Sequence, residues 1–198
     1  MKKLVLAFAL SIVFAFESQA SAKLFEIYAQ AQGGSSFAGR QATADQQDGF
    51  FARASGWTAG GLVGAEVLML DFWLEHNQYL DAGEVQATWT QLMVGADVDV
   101  PLVPRVLRVE FGLAIGAGAG TSAQVEPPLD KSEVTDRGLL AQAWVRLEHR
   151  FNRFVAIGAQ IPLTFGYFIR SGAVNDSENR YSSAQGAVLV NLRFTLGL

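Results

Sequence analysis

The stretch AQGAVLVNLRFTLGL, residues 184–198, alternates in steps of two. Gly186, Val188, Val190, Leu192, Phe194, Leu196 and Leu198 fall on one face; Ala187, Leu189, Asn191, Arg193, Thr195 and Gly197 fall on the other. An apolar row backed by a mixed row holding an arginine is the pattern of a strand with lipid on one side and a polar lumen on the other. A bilayer offers no water to backbone donors and acceptors, so a sheet spans it only when its last strand pairs with its first. Residues 184–198 run to the end of the sequence and are expected to be that closing strand. The fold they predict is all-β, an eight-stranded antiparallel transmembrane β-barrel preceded by a cleaved signal peptide.

The N-terminus supplies the targeting signal. Lys2 and Lys3 form a charged start, Leu4 to Phe16 an apolar core, and Ala20-Ser21-Ala22 a small-residue cleavage site. A membrane anchor would need roughly 20 apolar residues, and this run stops at Glu17. Cleavage is expected after Ala22, with Ala20 as the alternative, giving a signal peptide of residues 1–22 and a single barrel domain of residues 23–198. Half of the 198 residues are hydrophobic and the mean hydropathy is +0.20, yet past the leader no apolar run is long enough for a membrane helix. The apolar surface is instead dispersed over alternate positions. The sequence has no cysteine, which fits an exported protein without disulfides and excludes a lipidated-cysteine anchor. A formal charge of −4 gives no basis for nucleic-acid binding.

Upstream, the same alternation recurs. Strands are expected over Leu24–Gln32, from Trp57 to Val67, from Leu68 to Asn77, from Thr88 to Asp99, from Leu107 to Gly120, from Leu139 to Arg150 and from Val155 to about Phe165. Outward positions are odd-numbered through Val67 and even-numbered from Leu68, a parity switch that calls for a two-residue hairpin loop at Val67-Leu68 pairing Glu66 with Met69. A single bent strand is the competing reading and leaves the switch unexplained. Pro101 and Pro104 bracket another tight turn, expected to pair Val100 with Arg105 and hence Asp97 with Arg108. Asn152-Arg153 makes the third. Pro162 should mark a bulge. Long polar connections are expected over Gly33–Ser55, Thr121–Arg137 and Arg170–Ser183, and a shorter one over Gln78–Glu84. Long and short connections thus alternate, as external loops and periplasmic turns do in outer-membrane barrels. Trp57, Phe165 and Tyr167 at one level, and Phe25, Phe151, Phe154 and Phe194 at the other, fit two interfacial belts. A secreted soluble sandwich shares the alternation, but here the charged residues lie on the face that closure would turn inward.

On these patterns the chain resembles the small eight-stranded outer-membrane barrel family, which includes the membrane portions of outer-membrane anchor proteins and short surface-loop barrels. The resemblance implies an outer-membrane protein of a Gram-negative-type cell, in contact with outer-membrane lipid and inserted by the barrel assembly machinery. It transfers no catalytic or binding residue. One departure is that such barrels commonly end in phenylalanine, whereas this sequence ends in Leu198.

The inward charges are Glu26, Glu66, Asp71, Glu75, Asp97, Asp99, Arg108, Glu110, Arg146, Glu148, Arg150 and Arg193. They describe either an ion pathway or a packed salt-bridge core. An eight-stranded barrel leaves room only for side chains, and buried charges persist when paired, so Asp97, Arg108, Glu110, Arg146, Glu148, Arg150 and Arg193 are expected to form structural salt bridges. The only histidines, His76 and His149, have no nucleophile beside them in sequence and are read as interface residues. No catalytic residue, metal site or cofactor is expected; Gly112, Gly116, Gly118 and Gly120 are a strand stripe rather than a phosphate loop. The function expected is that of a non-enzymatic envelope protein whose barrel presents external loops to an envelope partner, in adhesion, motility or secretion. A narrow porin-like channel and a lipid-modifying enzyme are the alternatives.

Overall fold

The computed structural model describes residues 25–38, 56–68, 70–81, 84–126, 130–171 and 179–197. The expected signal peptide, residues 1–22, and Leu198 lie outside them. The described residues form eight antiparallel strands: β1 (Phe25–Ala38), β2 (Gly56–Val67), β3 (Leu70–Asp81), β4 (Glu84–Val103), β5 (Leu107–Glu126), β6 (Asp130–Arg150), β7 (Val155–Ser171) and β8 (Asn179–Gly197). Each strand pairs with the next, and β8 returns to β1 from Glu26↔Gly197 to Ala38↔Gln185, closing the barrel. No sheet edge remains.

Alternation sets the two surfaces. The outer wall is an apolar belt in which Leu113 and Leu139 are each 69% exposed. The inner wall buries Trp73, Trp89, Met93 and Trp144 together with most of the charge. An exposed apolar surface that encircles the molecule demands hydrocarbon rather than water around it. The faces read from the sequence hold on every strand. The glycine stripe of β5 is the complement of the inward aromatics: a Cβ at Gly112 would overlap the Trp144 ring, and one at Gly118 the Trp89 ring.

Two registers differ from expectation, both for one reason. The first hairpin loop is residues 68–69 rather than Val67-Leu68, and Glu66 faces Asp71 rather than Met69. Leu68 takes a φ of 61°, the left-handed conformation that a two-residue hairpin loop requires. At the next turn β4 continues through Pro101 to Val103, so Val100 faces Val109 and Asp97 faces Gly112, not Arg108. Here Pro104 precedes Arg105, whose φ is 65°, and the Val106 amide donates to the Val103 carbonyl at 3.1 Å. Proline followed by a positive φ defines a type II turn. Moving a hairpin turn by one residue changes the register by two, as at the first turn, and moving it by two changes the register by four, as at the second; either leaves every side chain on its original face. Alternation therefore fixes the faces without fixing the register.

The strands also outrun the apolar pattern. β1 reaches Ala38, β3 reaches Asp81, β5 and β6 continue to Glu126 and from Asp130, and β7 and β8 meet the connection 172–178. The expected long connection Thr121–Arg137 shrinks to residues 127–129. Crossing a bilayer takes about 9–11 tilted residues, and β5 and β6 have 20 and 21. Beyond the hydrocarbon the backbone ladder persists without an apolar row. Because the turns after β2, β4 and β6 are tight, the excess stands at the opposite end, called the loop end below. Its rim is uneven, since β2 and β3 have only 12 residues each. Pro162 makes no bulge: it interrupts the β7–β8 ladder between Gln160↔Leu189 and Leu163↔Gly186, with the same register on either side, and keeps its place opposite Trp144 on β6.

These surfaces predict how substitutions divide. Leu113→Arg, on the lipid face, should cost about 2–4 kcal/mol near the bilayer midplane. Gly116→Ser, on the lumen face, drives its Cβ into the Leu92 carbonyl and the Met93 sulfur and should cost about 1–3 kcal/mol by overpacking. Leu113→Ala should be tolerated. Urea unfolding in lipid vesicles ranks the three.

Candidate functional site

The lumen is the only place where the described charged residues converge, and it is layered along the barrel axis. At the turn end, Arg108 of β5 reaches Asp99 of β4 and Glu148 of β6, donating to Glu148 through Nε at 2.9 Å and Nη2 at 2.8 Å. Arg150 shares Glu148 at 3.0 Å. One layer inward Glu110 is the hub. Arg146 approaches it at 3.3 Å, Arg108 at 3.7 Å and Arg193 at 3.9 Å, and the Trp144 indole donates to it at 2.8 Å. Arg193 also reaches Glu26 at 3.6 Å and lies over the Tyr28 ring at 3.9 Å, while the Tyr28 hydroxyl donates to Asp71 at 2.6 Å. The network ties β1, β3, β4, β5, β6 and β8 together across the lumen.

Above it, the edge-to-face pair Trp73 and Trp144, 5.5 Å between centroids, crosses the barrel. Next comes a carboxylate held by neutral donors. Glu75 accepts from Gln32, Asn77 and Gln91 at 2.7 Å each, and from the Trp73 indole at 3.3 Å. Near the loop end Trp89 donates to Gln91 and Tyr79 to Gln185. The mouth is closed by Phe168, stacked on Tyr181, and by Arg170, whose guanidinium grips Asp136 through two bonds of 3.1 and 3.2 Å. Two voids lined by the described lumen residues have volumes of about 30 and 20 Å³, each large enough for one or two waters.

Of the seven candidates named from sequence, Arg108, Glu110, Arg146, Glu148, Arg150 and Arg193 come together in the two turn-end layers. Asp97 does not join them. Its expected partner Arg108 lies opposite Pro101, reaching Asp99 instead, and among the described residues Asp97 makes no ion pair. Asp136 and Arg170 were missed because both fell inside expected loops. Their parity could have found them: Asp136 continues the inward row of Gly138 and Leu140, and Arg170 that of Gly166 and Phe168. His76 and His149 sit on the outer wall, the first with Nδ1 2.8 Å from the Thr90 hydroxyl, the second edge-on to Phe151. Neither faces a lumen carboxylate. Among the described residues no three histidine or carboxylate side chains are grouped as a metal would need.

No protein-family model matches the sequence, and no curated protein is similar to it. Solved structures do share its fold. Neisserial surface protein A superimposes with a TM-score of 0.55 at 10% identity, covering 87% of this chain and 97% of its own. The N-terminal β-barrel domain of Pseudomonas aeruginosa OprF gives 0.51 at 15% identity, covering 86% and 97%. At these identities the likeness is one of fold, and the fold is the small eight-stranded barrel of outer-membrane proteins.

Removing one member of a paired buried cluster strands the others. Arg108→Ala leaves Glu148 and Asp99 short of their shared cation and should cost about 3–5 kcal/mol. A double-mutant cycle between Arg108 and Glu148 should show strong coupling, and one between Arg108 and Asp97 little. The readout is the temperature at which the folded barrel loses its gel-shift.

Proposed function

We propose that this protein is a non-enzymatic outer-membrane barrel, a sealed and rigid scaffold that presents its loop end to a partner in the cell envelope. The observation that carries the reading is the filled lumen. Among the described residues, tiered ion pairs, an amide-bound carboxylate and an aromatic cluster fill the lumen around cavities of about 30 and 20 Å³, and this filling supports a sealed barrel over an ion path. The same cross-braces hold the strands that rise at the loop end, and binding residues are usually found on loops positioned by such a scaffold. The outward placement of both histidines, away from the buried carboxylates, supports a non-catalytic role over lipid modification. The partner is a second envelope protein, and crosslinking from intact envelopes is the direct way to capture it.

Two measurements test this reading. Reconstituted in a planar bilayer, the barrel should show no steady conductance; reproducible channel openings would replace the scaffold with the channel. For orientation, the absence of native cysteine allows single-cysteine labelling. Ser177→Cys, in the connection between β7 and β8, should react with a membrane-impermeant maleimide in intact cells, and Arg105→Cys only after lysis. The reverse pattern would invert the barrel. Arg170, by contrast, is only 3% exposed, so a protease should find Arg180 rather than Arg170.

A further inference from the structure

We propose that the larger of the two lumen voids, beside Glu75, is a binding site for one dehydrated monovalent cation of the size of sodium. The ion is a retained structural occupant and not one in transit, a distinction that the conductance measurement above reads independently.

The void has a volume of about 30 Å³ and is lined by residues of every strand but β5. Among the described residues that line it, Glu75 alone is charged. Four N–H donors on its two oxygens are the complement of the ionised form. Among the described residues no cation pairs with it. Arg146, which shares the smaller void with Glu75, is committed to Glu110 at 3.3 Å and to Gln160 at 3.2 Å. The amides around Glu75 solvate its charge without cancelling it, and a buried charge is best held with a counter-charge in reach.

The neutral lining supplies the ligands. The Gln142 amide nitrogen donates to the Thr164 hydroxyl at 3.1 Å, while the Gln142 carbonyl oxygen and the Thr58 hydroxyl have no hydrogen-bond partner among the described residues. Both residues line the void, at 8% and 7% exposure. The carbonyl oxygens of Asn77 and Gln91 accept from Gln32 and Trp89 at 3.0 Å each, which leaves each a second lone pair. Hydroxyl and carbonyl oxygens around so small a space can replace the hydration shell of a monovalent ion. Both Glu75 oxygens are already filled by donors, so the ion sits in the field of the carboxylate and bonds to the neutral oxygens. Calcium takes six to eight oxygens, carboxylates among them, and magnesium keeps several waters. One carboxylate and room for one or two water-sized groups suit neither. The Trp73–Trp144 pair on one side and the Phe168–Tyr181 stack on the other make exchange slow, so the ion is taken up on folding. Its ligands come from different strands, which makes it a further cross-brace of the lumen.

Refolding the full chain in detergent with radioactive sodium chloride, followed by desalting, tests this. Wild type should keep one sodium ion per barrel and release it on heating through the gel-shift transition. That transition should lie higher after refolding in sodium chloride than in choline chloride at the same ionic strength, because choline is too large for the void. Thr58→Val removes one oxygen with little change of shape and should lower sodium retention by about tenfold, as loss of one contact to a charged group requires. Glu75→Gln removes the charge and should abolish retention. If Glu75→Gln gives no gel-shift, Thr58→Val decides alone. A wild type that keeps no sodium and melts alike in both salts would overturn the proposal and leave the void to water. Undiminished retention in Thr58→Val, or in folded Glu75→Gln, would equally overturn it. Displacement of the sodium by equimolar magnesium or calcium would reject the monovalent ion.

Discussion

Closure is the constraint from which the rest follows. In hydrocarbon every strand must find partners on both sides for its backbone groups, and the eight strands satisfy this only because β8 returns to β1 along its length. A closed ring of eight has a lumen one side chain wide. Large inward residues must then face glycines, which is why Trp144 and Trp89 lie over the β5 stripe. Charges enclosed in so narrow a space have little water, so they must find each other. Glu110 answers with three arginines and an indole, and Glu75 with amides and an indole. The salt-bridge core is a consequence of ring size as much as of composition.

How much was legible depends on which physical quantity a residue reports. Alternation in β5 and β8 reports the side of the sheet, and lipid against lumen is so sharp a contrast that faces, strand count and closure could all be read from residues such as Arg193 set between Leu192 and Phe194. Register is a different quantity. It is held by turn geometry, and the turns here place Leu68 and Arg105 at positive φ, positions where glycine or asparagine would have announced the loop. Without that signal the turn could slide by one or two residues and every face would still agree. That is how Asp97 was assigned the partner that Asp99 has. The candidate cluster remained largely recognisable because a register error of two or four residues leaves each side chain in the lumen and changes only its neighbour.

The loop end was least legible, for a related reason. Strands were delimited where their apolar row stopped, near Gly120 and Leu139, but the row marks the hydrocarbon and not the strand. Past that boundary Thr121, Ser122 and Thr135 continue the ladder with polar side chains, and Asp136 and Arg170 find each other inside it. Charged pairs of this kind are visible only when parity is followed through the polar segment.

The unevenness of the rim gives the barrel a direction around its circumference as well as along its axis. β2 and β3 stop low while β5 and β6 rise. Lumen cross-links pass from the low side to the high side, through Tyr28–Asp71, Arg193–Glu26 and the Glu110 hub, so the tall wall is anchored at its base to the opposite strands. Pro162 removes one ladder donor from β7 at mid-height, on the side facing β8, yet keeps its place on β6 opposite Trp144. β7 is therefore paired continuously with β6 and less continuously with β8. On the inner face β7 is braced to β6 on either side of Pro162, with Arg146 donating to Gln160 at 3.2 Å and Gln142 to Thr164 at 3.1 Å.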